Sequence, residues 1–288
     1  MSEIDTAYFK DGLRGVMYRQ TKLLDALIHG LITIEYSSED VAFIAETVRV
    51  MIQSLGVSIH SILKLTNEVE MSIKDCFGIA RTVSELAINI AYIVSSDVDV
   101  ARRAQMHALQ KLYRDYKREK KTNNYHITVS VESLPKPEEI EGMSEALDMF
   151  TNSKGQEVKI WSKKTLDQKI NKVIDFHKRS GFNLNTSKFV IYRHSSELLH
   201  GSYYGVRYFW TQGLAFDKSA TKQEIIEYWI KTHLMTIFTA VFFGVGAVIE
   251  VSARKFQLRE LEEDMKNLYI TVEDFLKSSG AWQSSEEE

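Results

Sequence analysis

The sequence predicts an all-α fold, a multi-helix bundle interrupted by a short irregular or β-containing excursion over residues 122–160. Only two prolines, Pro135 and Pro137, occur among the 288 residues, and both lie in that excursion. Proline is the strongest helix breaker, so its scarcity favours helices. Over most of the remaining chain, apolar residues recur every three or four positions, the period of an amphipathic helix. A hydrophobic content of 44% supplies a core for such a bundle.

The elements follow from this periodicity and from capping residues. Helices are predicted over residues 10–36, 41–65, 67–94 and 98–121, with the serine and acidic residues at 37–40 capping the second. Residues 126–131 are typical of a short strand and 137–150 of a short acidic helix. A helix over 162–178, a break at 180–183 and a helix through 192–200 follow. The apolar spacing over residues 221–278 predicts one very long helix or two collinear ones.

The expected organisation has four parts. Residues 1–66 form N-terminal helices packed on a helical core, 67–212, which carries the excursion. Residues 221–279 form long C-terminal hydrophobic and amphipathic helices, and 280–288 form a disordered acidic tail.

Composition limits the function classes. A net charge of -3 gives no global attraction to nucleic acid or anionic membranes, so such binding would need a local basic patch. The single cysteine, Cys76, excludes an intramolecular disulfide and suits a reducing compartment. The acidic first residues lack the apolar segment of a secretory signal. We therefore expect a cytoplasmic protein. The histidine spacings predict no metal site, and the absence of phosphate-binding glycine motifs predicts no nucleotide cofactor.

The uncharged run from Leu234 to Ile249 requires a choice between a core helix and a membrane span. Its sixteen residues fall short of the roughly 20 that cross a bilayer. The pattern favours a buried central helix, with Gly244 and Gly246 at the closest approach to its neighbours. Membrane association is the less favoured alternative.

Residues 192–202 hold the most informative polar cluster. On a helix, Tyr192, Ser196 and His200 share one stripe, and Arg193, Glu197 and His200 the neighbouring one. Their surroundings are aromatic and apolar. Because buried polar groups are costly unless paired, these side chains form either a satisfied core network or a site.

A second cluster lies on the third predicted helix. Arg81, Glu85, Asn89 and Tyr92 recur at helical spacing among apolar neighbours. An exposed Arg–Glu pair would contribute little to stability. The apolar company instead predicts a buried, networked pair.

Together the two clusters resemble the domain of unknown function 5677 family, helical proteins without a known activity. Arg81, Glu85, Tyr92 and Ile93 match its first motif, and Trp161 matches a tryptophan that introduces its second half. The second motif is matched by Tyr192, Ser196, Glu197, His200, Gly201 and Ser202. The resemblance covers about residues 70–210.

Arg193, six intervening residues and His200 are more distantly similar to the signature of the HEPN superfamily, with polar His194 directly after the arginine. That resemblance implies a HEPN-like core, a homodimer and a metal-independent endoribonuclease of a toxin or antiviral defence system. Such cleavage needs an acid or base near pH 7 and a cation for the developing negative charge, roles that fit His and Arg.

The candidate residues fall into three groups. The predicted catalytic residues are Arg193, His194, Glu197 and His200. The predicted supporting polar network is Arg81, Glu85, Tyr192, Ser196 and Ser202. A basic run with interleaved tyrosines is predicted to bind RNA phosphates through Lys111, Arg114, Lys117 and Arg118, although a solvated helix end explains the same run.

The leading interpretation is therefore an RNA-binding or RNA-cleaving effector acting as a homodimer. The alternative is a non-catalytic helical interaction or scaffold protein whose polar residues form a buried structural network. The pattern leaves open whether the chain is an enzyme, and whether a regulatory protein partner controls it.

Overall fold

The computed structural model describes residues 5–128, 134–211 and 221–281. Most of these residues are helical, so the predicted all-α bundle with a short β-containing excursion is confirmed. The chain forms two compact units, one made of residues 1–96 and 166–288 and the other of residues 97–165. The excursion expected over 122–160 lies within the second unit.

The elements follow one another in chain order. The first unit begins with α1 Thr6–Thr33, α2 Glu39–Leu65 and α3 Ile73–Val94. The second unit contains α4 Val98–Asp115, strands β1 Glu119–Lys121 and β2 His126–Thr128, a 3-10 turn Pro137–Glu139 and α5 Met143–Met149. The first unit resumes with α6 Leu166–Phe176, α7 Lys178–Leu199, α8 Tyr203–Thr211, α9 Lys222–Trp229, a π-helical turn Ile230–Leu234, α10 Met235–Phe256 and α11 Arg259–Ser278.

Side-chain caps fix several helix starts. The Asp5 carboxylate accepts the backbone N–H groups of Ala7 and Tyr8 at the start of α1. Ser38 caps α2 and Asp97 caps α4 in the same way. These side chains satisfy donors that have no partner inside the helix, and the sequence signal at 37–40 therefore marks a real helix start.

Helix α10 lies at the centre of the first unit, where it packs against α7, α3, α1 and α11. It contains most of the predicted hydrophobic run, and 16 of its 22 residues are buried. A Cβ atom on Gly244 would lie 3.0 Å from the Ser187 hydroxyl, and one on Gly246 would lie 2.4 Å from the Tyr269 hydroxyl. Both glycines therefore sit at close helix approaches, as the sequence predicts.

Among the residues that the structure describes, three helical segments are long and apolar enough to cross a membrane by length and composition: Glu39–Leu65, Ile73–Val94 and Lys222–Phe256. The apolar stretch of the last is mostly buried against other helices of the unit.

The predicted break at residues 180–183 is wrong, because those residues lie inside α7. The chain breaks instead at His177, whose backbone is extended (φ -148°, ψ 99°). Gly181 allows α7 to pack closely against α6 and does not form a turn, since a Cβ there would lie 2.9 Å from backbone atoms of Ile174 in α6.

The predicted long C-terminal helix also needs correction. The chain leaves α10 at Gln257, which adopts a left-handed conformation (φ 61°, ψ 34°), and α11 then packs back against α10. A left-handed cap is usually glycine, so glutamine gave no sequence signal of a reversal.

The fourth predicted helix ends earlier than expected. α4 stops at Asp115, and residues 119–121 pair antiparallel with 126–128 in a small hairpin. The rest of the strand predicted over 126–131 lies outside the described residues, as does most of the acidic tail predicted at 280–288.

Candidate functional site

The site is built around a tight corner between α7 and α8. At the end of α7, Gly201 takes a left-handed conformation (φ 63°), which glycine adopts without steric cost. The Gly201 N–H donates to the Leu198 carbonyl (3.2 Å), and the Ser202 N–H donates to the Glu197 carbonyl (3.1 Å). This pair of bonds is the Schellman motif, which satisfies carbonyls that the helix end leaves unpaired.

Side chains reinforce the same corner. The Ser202 hydroxyl donates to the Glu197 carboxylate (2.5 Å) and accepts the Gly205 N–H (3.0 Å) at the start of α8. A Cβ on Gly205 would lie 2.5 Å from the Glu197 carbonyl, so only glycine allows this approach. Of the predicted catalytic and network residues, Glu197 and Ser202 thus hold the corner together.

Arg193 and His200 lie two turns apart on α7, and both are exposed. The Arg193 guanidinium lies 5.9 Å from the centre of the Tyr204 ring. His200 caps the end of α7. Within the described ranges, its ring makes no hydrogen bond or ion pair that would explain it structurally.

Arg193 also lines a cleft of about 790 Å³ together with Lys188, Tyr192, His194 and Asp167. Lys188 forms an ion pair with Asp167 across it. His200 is not among the lining residues, so the structure brings Arg193 and His194 into one cleft and leaves His200 beside the corner.

His194 is half-buried and lies flat on Tyr208, with ring centres 3.9 Å apart and planes 6° apart. Its Nδ1 atom is buried and has no hydrogen-bond partner among the described residues. Burial, helped by the positive charge of Arg193, lowers its pKa. The ring is therefore neutral at pH 7.

His233 belongs to the same aromatic cluster, which the sequence did not reveal. It lies in the π-helical turn and is fully buried, and its Nε2 donates to the Phe209 carbonyl (2.9 Å). Burial lowers its pKa to about 4. A π-turn changes the direction of side chains within a helix, and here it accompanies an inward-facing histidine in an apolar segment.

The second predicted cluster forms, but it is only half-buried. The Arg81 Nε donates to Glu85 (2.8 Å), and the side chains are 20% and 38% exposed. The Arg81 guanidinium also covers the Tyr192 ring, 4.2 Å from its centre. Ser196 does not join this network, because its hydroxyl has no hydrogen bond to any described residue.

Lys169 is a polar core residue that sequence reasoning missed. Its ammonium group donates to the Asn89 side chain (2.7 Å), and the residue is only 5% exposed. Burial lowers its pKa to about 8, although the Glu85 charge acts in the opposite direction. The signal was available: Lys169 shares the helical stripe of Ile170 and Val173 in α6.

A second buried polar cluster joins the start of α7 to α10. The Glu250 carboxylate is almost completely buried, accepts a hydrogen bond from the Ser180 hydroxyl (3.0 Å) and forms an ion pair with Arg179. Burial raises the Glu250 pKa, and Arg179 and Ser180 oppose that shift. This cluster holds two helices together, away from the α7–α8 corner.

In the second unit, the predicted RNA-binding residues do gather around one cleft of about 680 Å³. All four are engaged within the unit. Lys111 pairs with Glu157 (2.7 Å), and Lys117 donates to the Tyr113 hydroxyl (2.8 Å). Arg114 donates to the side chains of Gln110 and Thr151, both at 2.7 Å. Arg118 lies 3.8 Å from Asp115.

Metal-ligating side chains do not cluster in the described part of the chain, where no three of His, Cys, Asp and Glu are placed to hold an ion.

The sequence matches the model of a protein family. The model of a family described as "Family of unknown function (DUF5677)" matches residues 58–214, more than half of the chain. The matched span includes both polar clusters and the α7–α8 corner. No curated protein and no solved structure matches.

Proposed function

We propose that this chain, which belongs to the family of unknown function DUF5677, is an RNA-binding protein that cleaves RNA without a metal ion at the end of α7. One observation carries the proposal. Arg193 is exposed on α7 and His200 is exposed where α7 ends, and the His200 ring has no hydrogen bond or ion pair with any described residue. Glu197, Gly201 and Ser202, by contrast, are explained by the corner itself.

The chemistry suits these two side chains. RNA carries its own nucleophile, the 2′-hydroxyl, so cleavage needs proton transfer near pH 7, which an imidazole performs. A guanidinium stabilises the negative charge that develops on the phosphate. Residues seven apart share one helix face, about 10.5 Å apart along the axis. A strand bound along this face of α7 would therefore contact both.

His194 is the second imidazole close to Arg193, and its neutral state fits a base that removes the 2′-hydroxyl proton. In this arrangement the 2′-oxygen attacks phosphorus, the 5′-oxygen leaves with a proton, and a 2′,3′-cyclic phosphate remains. His194 and His200 lie on different faces of α7, and His200 shares the face of Arg193, so we assign the proton transfer to His200.

The test is cleavage of single-stranded RNA by purified protein in EDTA, with analysis of the new ends. Cyclic phosphate or 3′-phosphate ends are expected. His200→Ala and Arg193→Ala should each abolish cleavage while the protein stays folded. His60→Ala, at an exposed histidine of α2, is the matched control and should cleave normally. Wild-type protein that leaves varied RNAs intact, or a His200→Ala protein that cleaves equally well, would refute the nuclease proposal.

The second candidate is a non-catalytic helical scaffold. It is favoured by the fact that Arg81, Glu85 and Tyr192 contact one another, which accounts for three family-motif residues without any reaction. This candidate predicts binding to a protein partner that survives His200→Ala and is lost when the corner is disrupted by Gly205→Ala.

The proposal includes a cytoplasmic homodimer of a defence or toxin-type system. The single cysteine and the resemblance to HEPN proteins support it. Sedimentation of the purified protein tests the dimer. Fractionation tests the location, because three helices meet the length and composition of membrane spans. Recovery only from the membrane pellet, with release by detergent but not by high salt, would contradict the cytoplasmic assignment.

A further inference from the structure

Helix α8 exposes an unusual amount of aromatic surface for a helix that is firmly packed. Tyr203 is 80% exposed and Trp210 is 45% exposed. Because they lie seven residues apart, they share one outward stripe, about 10.5 Å apart along the axis. Exposed Arg207 lies between them, four residues after Tyr203.

This exposure does not come from a loosely attached helix. Phe209, on the inner side of α8, is almost completely buried and lies 5.0 Å from the Trp229 ring and 5.1 Å from the His233 ring. At the other end, Gly205 packs directly on the backbone of Glu197. The outer aromatic side chains are therefore presented by a fixed support.

The electrostatics of the segment are one-sided. No acidic residue occurs between Glu197 and the end of α8, whereas Arg207 is exposed and Arg193 reaches over from α7 to the Tyr204 ring. Flat aromatic faces interleaved with cations match unpaired bases joined by phosphates. A purely apolar docking surface would need neither the arginines nor the absence of acids.

We propose that α8 is a stacking platform for the bases of single-stranded nucleic acid, with Tyr203 and Trp210 as the stacking residues and Arg193 and Arg207 facing the phosphates. The inference rests on the proposed function, because the platform adjoins the α7 corner and would hold the strand that Arg193 and His200 act on. It assigns the ligand class as unpaired strands of any sequence, since every base has a face that can stack.

The experiment measures binding without cleavage. Full-length His200→Ala protein is titrated with a short fluorescent single-stranded RNA and with an abasic strand of equal length and charge. The base-bearing strand should bind at least about 10-fold more tightly. Tyr203→Ala and Trp210→Ala should each weaken its binding by about 5-fold or more, with little change for the abasic strand. Tyr203→Phe keeps the aromatic face and should bind normally.

The matched control is Tyr18→Ala. Tyr18 is an exposed tyrosine of α1 that also lies beside a cation, Lys22, and its loss should change nothing. Thermal melting confirms that each variant is folded.

Equal binding of base-bearing and abasic strands would overturn the platform. So would α8 variants that bind RNA normally but no longer bind anionic phospholipid vesicles. The two proposals fail separately. A wild type that binds bases through α8 but never cleaves RNA contradicts the nuclease and supports the platform. If the wild type cleaves RNA, and the Tyr203→Ala and Trp210→Ala variants bind RNA at full strength, the nuclease is supported and the platform is contradicted.

Discussion

Gly244→Ala tests a close contact in the core, where α3, α7 and α10 meet through small residues. The Ser187 hydroxyl of α7 donates to the Ala240 carbonyl (2.7 Å) and lies 3.0 Å from the Ser84 hydroxyl of α3. A methyl group on Gly244 would lie 3.0 Å from the Ser187 oxygen and 3.5 Å from the Ala87 methyl. The Ser187 hydroxyl would therefore have to move by a few tenths of an ångström, either by rotating or by a small separation of the helices.

The magnitude follows from opposing effects. Alanine favours a helix interior over glycine by about 1 kcal/mol. Overpacking a core contact costs about 1–3 kcal/mol, and a buried hydroxyl that loses its partner costs about 1–3 kcal/mol. The two costs together, less the gain, give an expected net loss of about 1–5 kcal/mol in the free energy of unfolding. Gly56→Ala is the matched control, because a Cβ at Gly56 in α2 meets nothing within 4 Å, so this change should stabilise the protein by up to about 1 kcal/mol.

Urea unfolding measures both variants, with the midpoint expected to fall for Gly244→Ala and to rise for Gly56→Ala at unchanged slope. Adding Ser187→Ala to Gly244→Ala removes the obstructing oxygen, so the double variant should be more stable than the sum of the single changes predicts. Equal, positive effects of the two glycine substitutions would show that the three helices do not approach this closely.

Three other perturbations test separate parts of the structure. Glu85→Ala leaves Arg81 without its ion-pair partner, but both side chains are partly solvated. The free energy of unfolding should therefore fall by only about 1–2 kcal/mol, well below the loss for a fully buried pair. An unchanged denaturant midpoint would show that the pair contributes nothing. The pKa of His233 is about 4 in the folded protein and 6.5 in the unfolded chain. The contribution of the neutral His233 ring to the free energy of unfolding is therefore complete above pH 6.5 and is lost as the pH falls towards 4. Between pH 7 and pH 4 the wild type should lose about 3 kcal/mol more stability than His233→Phe, and parallel curves would contradict a buried neutral histidine. Gly201→Ala places a side chain at φ 63° and should lower the unfolding free energy by about 1–2 kcal/mol, whereas an unchanged melting temperature would argue against the left-handed cap.

The sequence by itself determined the helical class and the position of most helices, and it favoured burial of the residue 234–249 run. These properties are local: apolar spacing and capping residues such as Ser38 and Asp97 act within one helix turn. The pairing of Arg81 with Glu85 was also predictable, since residues four apart meet on any helix.

Only the tertiary structure decided how these helices meet and which polar groups are buried. The break at His177 and the reversal at Gln257 depend on packing between distant segments. The same packing exposes His200 and turns the outer face of α8 towards solvent. Periodicity states which residues share a face, but whether that face meets another helix or water is set by contacts that lie far apart in the chain.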